Sequence, residues 1–278
     1  MFAIITDSGS DLREEQAQAM GVHLAHLTIH FEDETLVQRT NEDVLRFYEK
    51  LKASRHLPRT SQPSPQDFLT LYEAHPEEEI LVLTLSSRLS GTYNSAVLAQ
   101  SMLKDPQRIL ILDTQQATMS LALLVQEAVR QRAKGRSAQE VFRHLQQLSQ
   151  QGVVFGLVDT LKYLKKGGRI PPSLAALGTL LHVKPLLELK EGALIPKSKA
   201  RGKKAGRNSL LAAVQERSPD PNYPIIIGTT GPLEEALVLQ EALQERFAHH
   251  ELKLLRIGGI IGTHVGPGCF GVGFIART

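Results

Sequence analysis

One cysteine, Cys269, stands in 278 residues, which excludes an internal disulfide and any zinc site of the paired-cysteine kind. A reducing compartment is the natural setting for such a chain. No run of about 18 apolar residues occurs, so no ordinary membrane-spanning helix is expected. The opening residues, MFAIITDSGSD, lack the basic start and long apolar segment of a secretion signal, and a cytoplasmic location is expected. The ten histidines are scattered without the spacing of a metal centre, so no metal is expected. Neither G-x-G-x-x-G nor G-x-x-x-x-G-K-[ST] follows an apolar run, so the common nucleotide-cradling loops are missing.

What is present is a soluble, core-forming composition, 42% hydrophobic and 22% charged, at a length that suits one large domain or two ordinary ones. The net charge of +3 conceals an uneven distribution. Between Lys162 and Arg207, twelve Lys and Arg face two Glu, a net +10 that leaves −7 for the remainder. The core of this block, KSKARGKKAGR at 197–207, has no acidic residue and suits an anionic partner or a plain solvated face.

Apolar, β-rich runs at Phe2–Thr6, Val22–Phe31, Ile80–Leu85 and Arg108–Leu112 alternate with helical stretches near 11–20, 41–53, 65–75, 90–103 and 116–134. Short buried strands alternating with helices predict a parallel sheet covered on both faces. After residue 150 the pattern changes. A strand is expected at 153–159, a turn at 163–173, a hairpin around Glu191-Gly192 and helices near 206–217 and 232–248. Further strands are expected at 224–230, 252–261 and 270–276. The expected architecture is α/β in two domains, 1–150 with a parallel sheet and 151–278 with a mixed or antiparallel one.

Three early strands end in polar clusters, TDSGSD at 6–11, TLSSRLSGT at 84–92 and DTQQAT at 113–118, where open α/β sheets bind ligands. Ser90-Gly91-Thr92 falls at a helix start, where a hydroxyl either caps the helix or binds an anion. In RTSQPSPQDF at 59–68, Ser64 and Pro65 read as a helix cap and first residue, while Thr60, Ser61 and Gln62 are left for a ligand. Ser10 or Asp11 is expected to cap the helix that follows TDSGSD. His264, among Gly262, Gly266 and Gly268, is either a turn residue or part of a site. Cys269 reads as a small buried residue. The order Ser90, Asp113, His264 matches that of α/β-hydrolases, yet position 88 is Arg where the nucleophile elbow G-x-S-x-G needs Gly.

Taken together, ITDSGSDL at 5–12, TSQPSP at 60–65, SSRLSGTYNSA at 86–96, LDTQ at 112–115, LKYLKKGGRI at 161–170, KPLLELKEG at 184–192 and IGTHVGPG at 261–268 resemble the DegV family. Its members include the fatty acid-binding subunit (FakB) of bacterial fatty acid kinase. The resemblance implies two α/β domains with a long-chain fatty acid between them, and a carrier rather than an enzyme. Phosphorylation of the bound carboxylate to an acyl phosphate, for phospholipid synthesis, would belong to a separate kinase. Thr60 and Ser90 would hold the carboxylate, His264 would support them, and Ser61, Gly91 and Thr263 are candidate auxiliaries. Arg88 departs from the glycine more often found in SSGLSGT. No cofactor beyond the bound lipid is implied. The basic block, through Arg169, Arg201, Lys203, Lys204 and Arg207, would dock the kinase. Nucleic acid is not expected as a partner, and transient contact with a membrane is compatible with the lipid cargo. The alternatives are a serine hydrolase acting on acyl esters and a binding protein for another amphipathic anion.

Overall fold

The computed structural model describes residues 2–76, 79–170 and 183–277. Strands β1 (Ala3–Asp7), β2 (Val22–Ala25), β6 (Ile80–Thr84) and β7 (Ile109–Asp113) form a parallel sheet in the order β2-β1-β6-β7. Every residue of the central pair β1 and β6 is buried, because helices cover both faces. Ala3, Ile5, Ile80 and Val82 pack against α3 (Pro65–Glu73) and α4 (Thr92–Ser101). The alternating Ile4, Leu81 and Leu83 face α5 (Thr118–Ala133) and α6 (Ala138–Leu148). Helices α1 (Glu14–Ala19) and α2 (Asn41–Ala53) complete this half. As read from the sequence, Ser64 caps α3 with Pro65 as its first residue.

The single strand expected at Val22–Phe31 is two strands in different sheets. The Ser8 hydroxyl accepts from the Leu27 amide at 2.9 Å, and the chain leaves the parallel sheet at this point. It continues as β3 (Thr28–His30), which pairs antiparallel with β4 (Thr35–Leu36) and β5 (Arg59–Ser61). Thr60 therefore lies on a short strand, opposite Ile29. Helix α6 was also not anticipated, although its capping box, Ser137 with Glu140, is written in SAQE.

The second half is a mixed six-stranded sheet in the order β10-β9-β8-β13-β11-β12. Its strands are β8 (Gly152–Leu157), β9 (Val183–Lys190), β10 (Ala193–Arg201), β11 (Ile225–Thr229), β12 (Leu252–Arg256) and β13 (Phe270–Ile275). Only β11 and β12 run parallel. Glu191 and Gly192 both take positive φ, 49° and 78°, closing the expected β9–β10 hairpin. Val153, Phe155 and Leu157 on β8, with Phe270, Val272 and Phe274 on β13, face α8 (Lys203–Arg217) and α9 (Leu233–Arg246). The opposite face of these two strands carries Val154, Gly156, Gly271 and Gly273. A Cβ at Gly273 would lie 2.4 Å from the Cβ of Met119, so glycine here admits α5 against the sheet.

Two expectations are corrected in this half. The turn expected at 163–173 contains α7 (Lys162–Gly167), closed by Gly168 in the left-handed region, while 171–173 and His182 lie outside the described residues. The strand expected at 252–261 stops at Arg256, and Gly259–Val265 is helix α10. Among the described residues no helix is long and apolar enough to cross a membrane.

Candidate functional site

Between the two large sheets lies a cavity with about 910 Å³ of empty space, part of it open to solvent. Its wall is mostly aliphatic. Leu85 and Leu89 come from the loop after β6, Val154 from β8, Leu187 and Leu189 from β9, and Ile260 from α10. Gly156 and Gly271, opposite one another on β8 and β13, also border it; Gly156 leaves room where a side chain would stand, whereas a Cβ at Gly271 would meet the Phe155 carbonyl. The polar exceptions are Thr60, Ser90, Thr118, Arg169 and His264. Thr118 is already committed, since its hydroxyl donates to Asp11 Oδ2 at 2.6 Å. Thr60, Arg169 and His264 also border a second, more polar groove with Arg59, Tyr163 and Lys166, so they stand where cavity and groove meet.

Thr60 Oγ1 lies 2.9 Å from His264 Nε2, joining β5 to the last turn of α10. Burial, with the Arg169 cation adding to it, lowers the His264 imidazole to about 4, so the ring is neutral near pH 7. Its Nδ1 is buried without a hydrogen-bond partner among the described residues and faces Gly167, where a Cβ would come within 2.4 Å of it. Arg169 is fixed by donating from Nε to the Leu89 carbonyl at 3.1 Å and from Nη1 to the Gly167 carbonyl.

The hydroxyls of SSRLSGT divide into separate roles. Ser86 Oγ donates to the Gly192 carbonyl at 2.7 Å, and Arg88 Nη1 donates to the Glu191 carbonyl at 3.0 Å, so both hold the hairpin tip. Ser87 bonds through its hydroxyl and its amide to Asp113. Ser90 does not cap α4. Gly91 is the cap residue and offers no side chain, while Ser90 Oγ lies 2.9 Å from Thr92 Oγ1 on the cavity wall. Gly91 packs against the Gln62 amide, which donates to Ser95 Oγ at 3.2 Å. Gln62 thus ties the Thr60 segment to the Ser90 segment.

Of the auxiliary candidates, Ser61 is exposed and outside the cavity wall, and the Thr263 hydroxyl donates within its own helix to Gly259 at 2.7 Å. The hydrolase order is not assembled as a triad: His264 bonds Thr60, Asp113 bonds Ser87, and Ser90 bonds Thr92. Burial pushes the Cys269 thiol up to about 12, which leaves it a small apolar wall residue. Neither Ser10 nor Asp11 caps α1, whose cap position is Arg13. Ser10 Oγ donates to the Asp7 carbonyl at 2.8 Å instead. In the basic block, Glu235 pairs with both Lys203 and Arg207, whereas Arg201 and Lys204 are exposed with no acidic partner among the described residues. Arg169 belongs to the cavity wall rather than to that surface. Among the described residues no group of acidic, His or Cys side chains could hold a metal.

Two sheets flanking an apolar cavity, with hydroxyls and an imidazole among its polar lining, define an α/β protein with an amphipathic internal cavity. The profile of the DegV family, described as uncharacterised proteins, matches residues 1–277, and the chain belongs to this family. A fatty acid-binding protein of Thermotoga maritima is 32% identical over 97% of this chain and 96% of its own length. The fatty acid-binding DegV family protein of Thermus thermophilus superposes with a TM-score of 0.88 at 32% identity, covering 99% of each chain. The fatty acid kinase B3 protein of Streptococcus pneumoniae, solved with linoleic acid, shares the fold at a TM-score of 0.89 and 24% identity over 100% of both chains.

Proposed function

We propose that this chain is a carrier that holds a long-chain fatty acid between its two halves, 1–150 and 151–278, and presents the carboxylate to a separate kinase. The observation that carries the reading is an aliphatic cavity whose wall also carries Thr60, Ser90 and His264, with Thr60 and His264 in contact where it meets the polar groove. Burying about fifteen methylenes is worth on the order of 12 kcal/mol before ordering costs, so the tail supplies affinity. A carboxylate withdrawn from water needs donors in return, and the Thr60 and Ser90 hydroxyls fill that need. The fatty acid-binding relatives from Thermotoga and Thermus support the ligand class. The kinase rests on the family resemblance and on the charge pattern. Arg201 and Lys204 are its docking cations in this reading, with Lys203 and Arg207 partly neutralised by Glu235.

Native mass spectrometry of the purified chain, followed by extraction of any bound lipid, tests the ligand. A mass that stays that of the bare chain after long-chain fatty acids are added would refute the reading. For docking, Arg201→Glu with Lys204→Glu is expected to abolish phosphorylation of the bound lipid while leaving lipid binding unchanged. Equal phosphorylation of the double variant would remove the docking role.

A further inference from the structure

The TDSGSDL motif is not consumed by the lipid cavity, yet its Asp11 reaches 247 residues along the chain. Three consecutive peptide groups that lead into α10, from Arg256 to Gly259, are held at four points by side chains from the first half. Arg13 Nη2 donates to the Arg256 carbonyl at 2.6 Å, and the Tyr48 hydroxyl donates to the Ile257 carbonyl at 2.9 Å. Asp11 Oδ1 accepts from the Gly258 amide at 2.8 Å, and Gln38 Oε1 accepts from the Gly259 amide at 2.6 Å. The last two amides belong to a helix start that has no side-chain cap of its own from Gly258.

The holders are themselves fixed. Asp11 is 2% exposed, takes a left-handed φ of 60°, and receives the Thr118 hydroxyl on its other oxygen at 2.6 Å. Arg13 Nη1 donates to the Asp11 carbonyl at 2.8 Å and Arg13 Nε to Asn41 at 3.1 Å. The glycines of IGGIIG are what let the segment come this close. A Cβ at Gly258 would lie 2.9 Å from Asp11 Oδ1, one at Gly259 2.6 Å from the Phe47 ring, and one at Gly262 2.4 Å from the Tyr48 hydroxyl. His264 sits on the last turn of this same short helix.

We infer that Asp11, together with Arg13, Gln38 and Tyr48, is a positioning residue that sets where His264 meets Thr60. The helix bearing the imidazole belongs to the second half of the chain, but its placement is dictated by the first. This deepens the carrier reading by naming what aligns the head-group cluster. It also stands on geometry that needs no ligand.

The test uses the full chain and follows His264 by NMR titration of its ring, alongside palmitate binding. The charged and titratable neighbours of the ring, Arg169, Arg59, Lys166 and Tyr163, are left untouched. In Asp11→Ala and Gly258→Ala the His264 midpoint is expected to rise from about 4 towards the ordinary 6.5 as the helix shifts and the ring hydrates, with Asp11→Asn in between. Palmitate affinity is expected to fall about tenfold or more, the scale of a lost charge-assisted hydrogen bond. Gln38→Ala is the milder variant should Asp11→Ala not fold. A purely structural role would lower the melting temperature and leave the midpoint alone, so an unmoved midpoint in every folded variant overturns the inference. If the wild-type chain binds no palmitate while the midpoints still move, the lipid reading fails and the positioning role stands.

Discussion

Thr60 and His264 are separated by 204 residues of sequence and by 2.9 Å of space. The neutral ring carries one proton, and chemistry favours placing it on Nε2. There it is donated to Thr60 Oγ1, whereas at Nδ1 it would find no acceptor among the described residues and a nearby Arg169 cation. The Thr60 hydroxyl proton is then free for a carboxylate. Thr60→Val is expected to weaken fatty acid binding about tenfold to a hundredfold, the range for a hydrogen bond to a charged group, while Thr60→Ser stays near wild type. His264→Gln, which can place a donor near Nε2, should retain more affinity than His264→Asn. Isothermal titration with one fatty acid ranks the four variants, and a reversed Gln and Asn order would contradict the tautomer.

Stability against pH offers a second check. His264 is lowered from 6.5 to about 4, so its contribution is present above 6.5 and lost as pH falls through 4. Asp7 is fully buried, and burial raises it from 3.8 to about 7 despite accepting the Leu85 and Gly9 amides. Its contribution is therefore present below 3.8 and lost as pH rises through 7. Over the shared window the two slopes oppose. Urea unfolding between about pH 4 and 6.5 should show Asp7→Asn gaining stability with pH relative to wild type, and His264→Gln losing it. Parallel curves for all three proteins would refute both assignments.

The tail wall gives a third. Gly156 borders the cavity, and a Cβ there would meet nothing nearer than Cys269 Sγ at 3.8 Å, so a larger side chain fits and takes up tail space. Gly156→Leu is expected to shift preference towards shorter fatty acids, each excluded methylene costing about 0.8 kcal/mol. Competition among chains of graded length, read by mass spectrometry of the bound lipid, measures the shift. An unchanged length profile would remove Gly156 from the tail path.

The alternating grammar of β1, β6 and β7 was legible because a doubly covered strand must be apolar throughout, and the hairpin because Glu191-Gly192 is turn chemistry. The hydroxyl clusters were legible as clusters. Their division of labour was not, since nothing local in SSRLSGT distinguishes Ser86, bonded to a carbonyl 106 residues away, from Ser90 on the cavity wall. The glycines of CFGVGFI carried a readable signal in their strict alternation with Phe and Val, which is one face of a strand left bare where α5 packs on Gly273 and the neighbouring strand lies close against Gly271. The sequence of α10 reads as bend and strand because glycine disfavours helix. What overrides that preference is the set of side chains from the first half that hold its opening peptides, and these lie more than two hundred residues away.

Arg88, which stands where the family resemblance leads one to expect glycine, is engaged with the β9–β10 hairpin. Its guanidinium reaches the Glu191 carbonyl at 3.0 Å, beside the Ser86 to Gly192 bond, so both fasten the tip of the β9–β10 hairpin to the first half. Leu187, Leu189 and Leu194 on that hairpin line the cavity, so moving the hairpin opens one wall. Arg88 is exposed, and its bond is worth about 1 kcal/mol at most, enough to alter a rate about fivefold. Arg88→Gly should therefore speed release of a bound fluorescent fatty acid by about that factor while the head-group contacts stay intact. Ser86→Ala, at a buried bond against a glycine with no room for a Cβ, should speed it more. Stopped-flow displacement measures both. Release rates equal to wild type in the two variants would mean that the hairpin tip does not govern exchange, and that the ligand leaves by the Thr60 and His264 border instead.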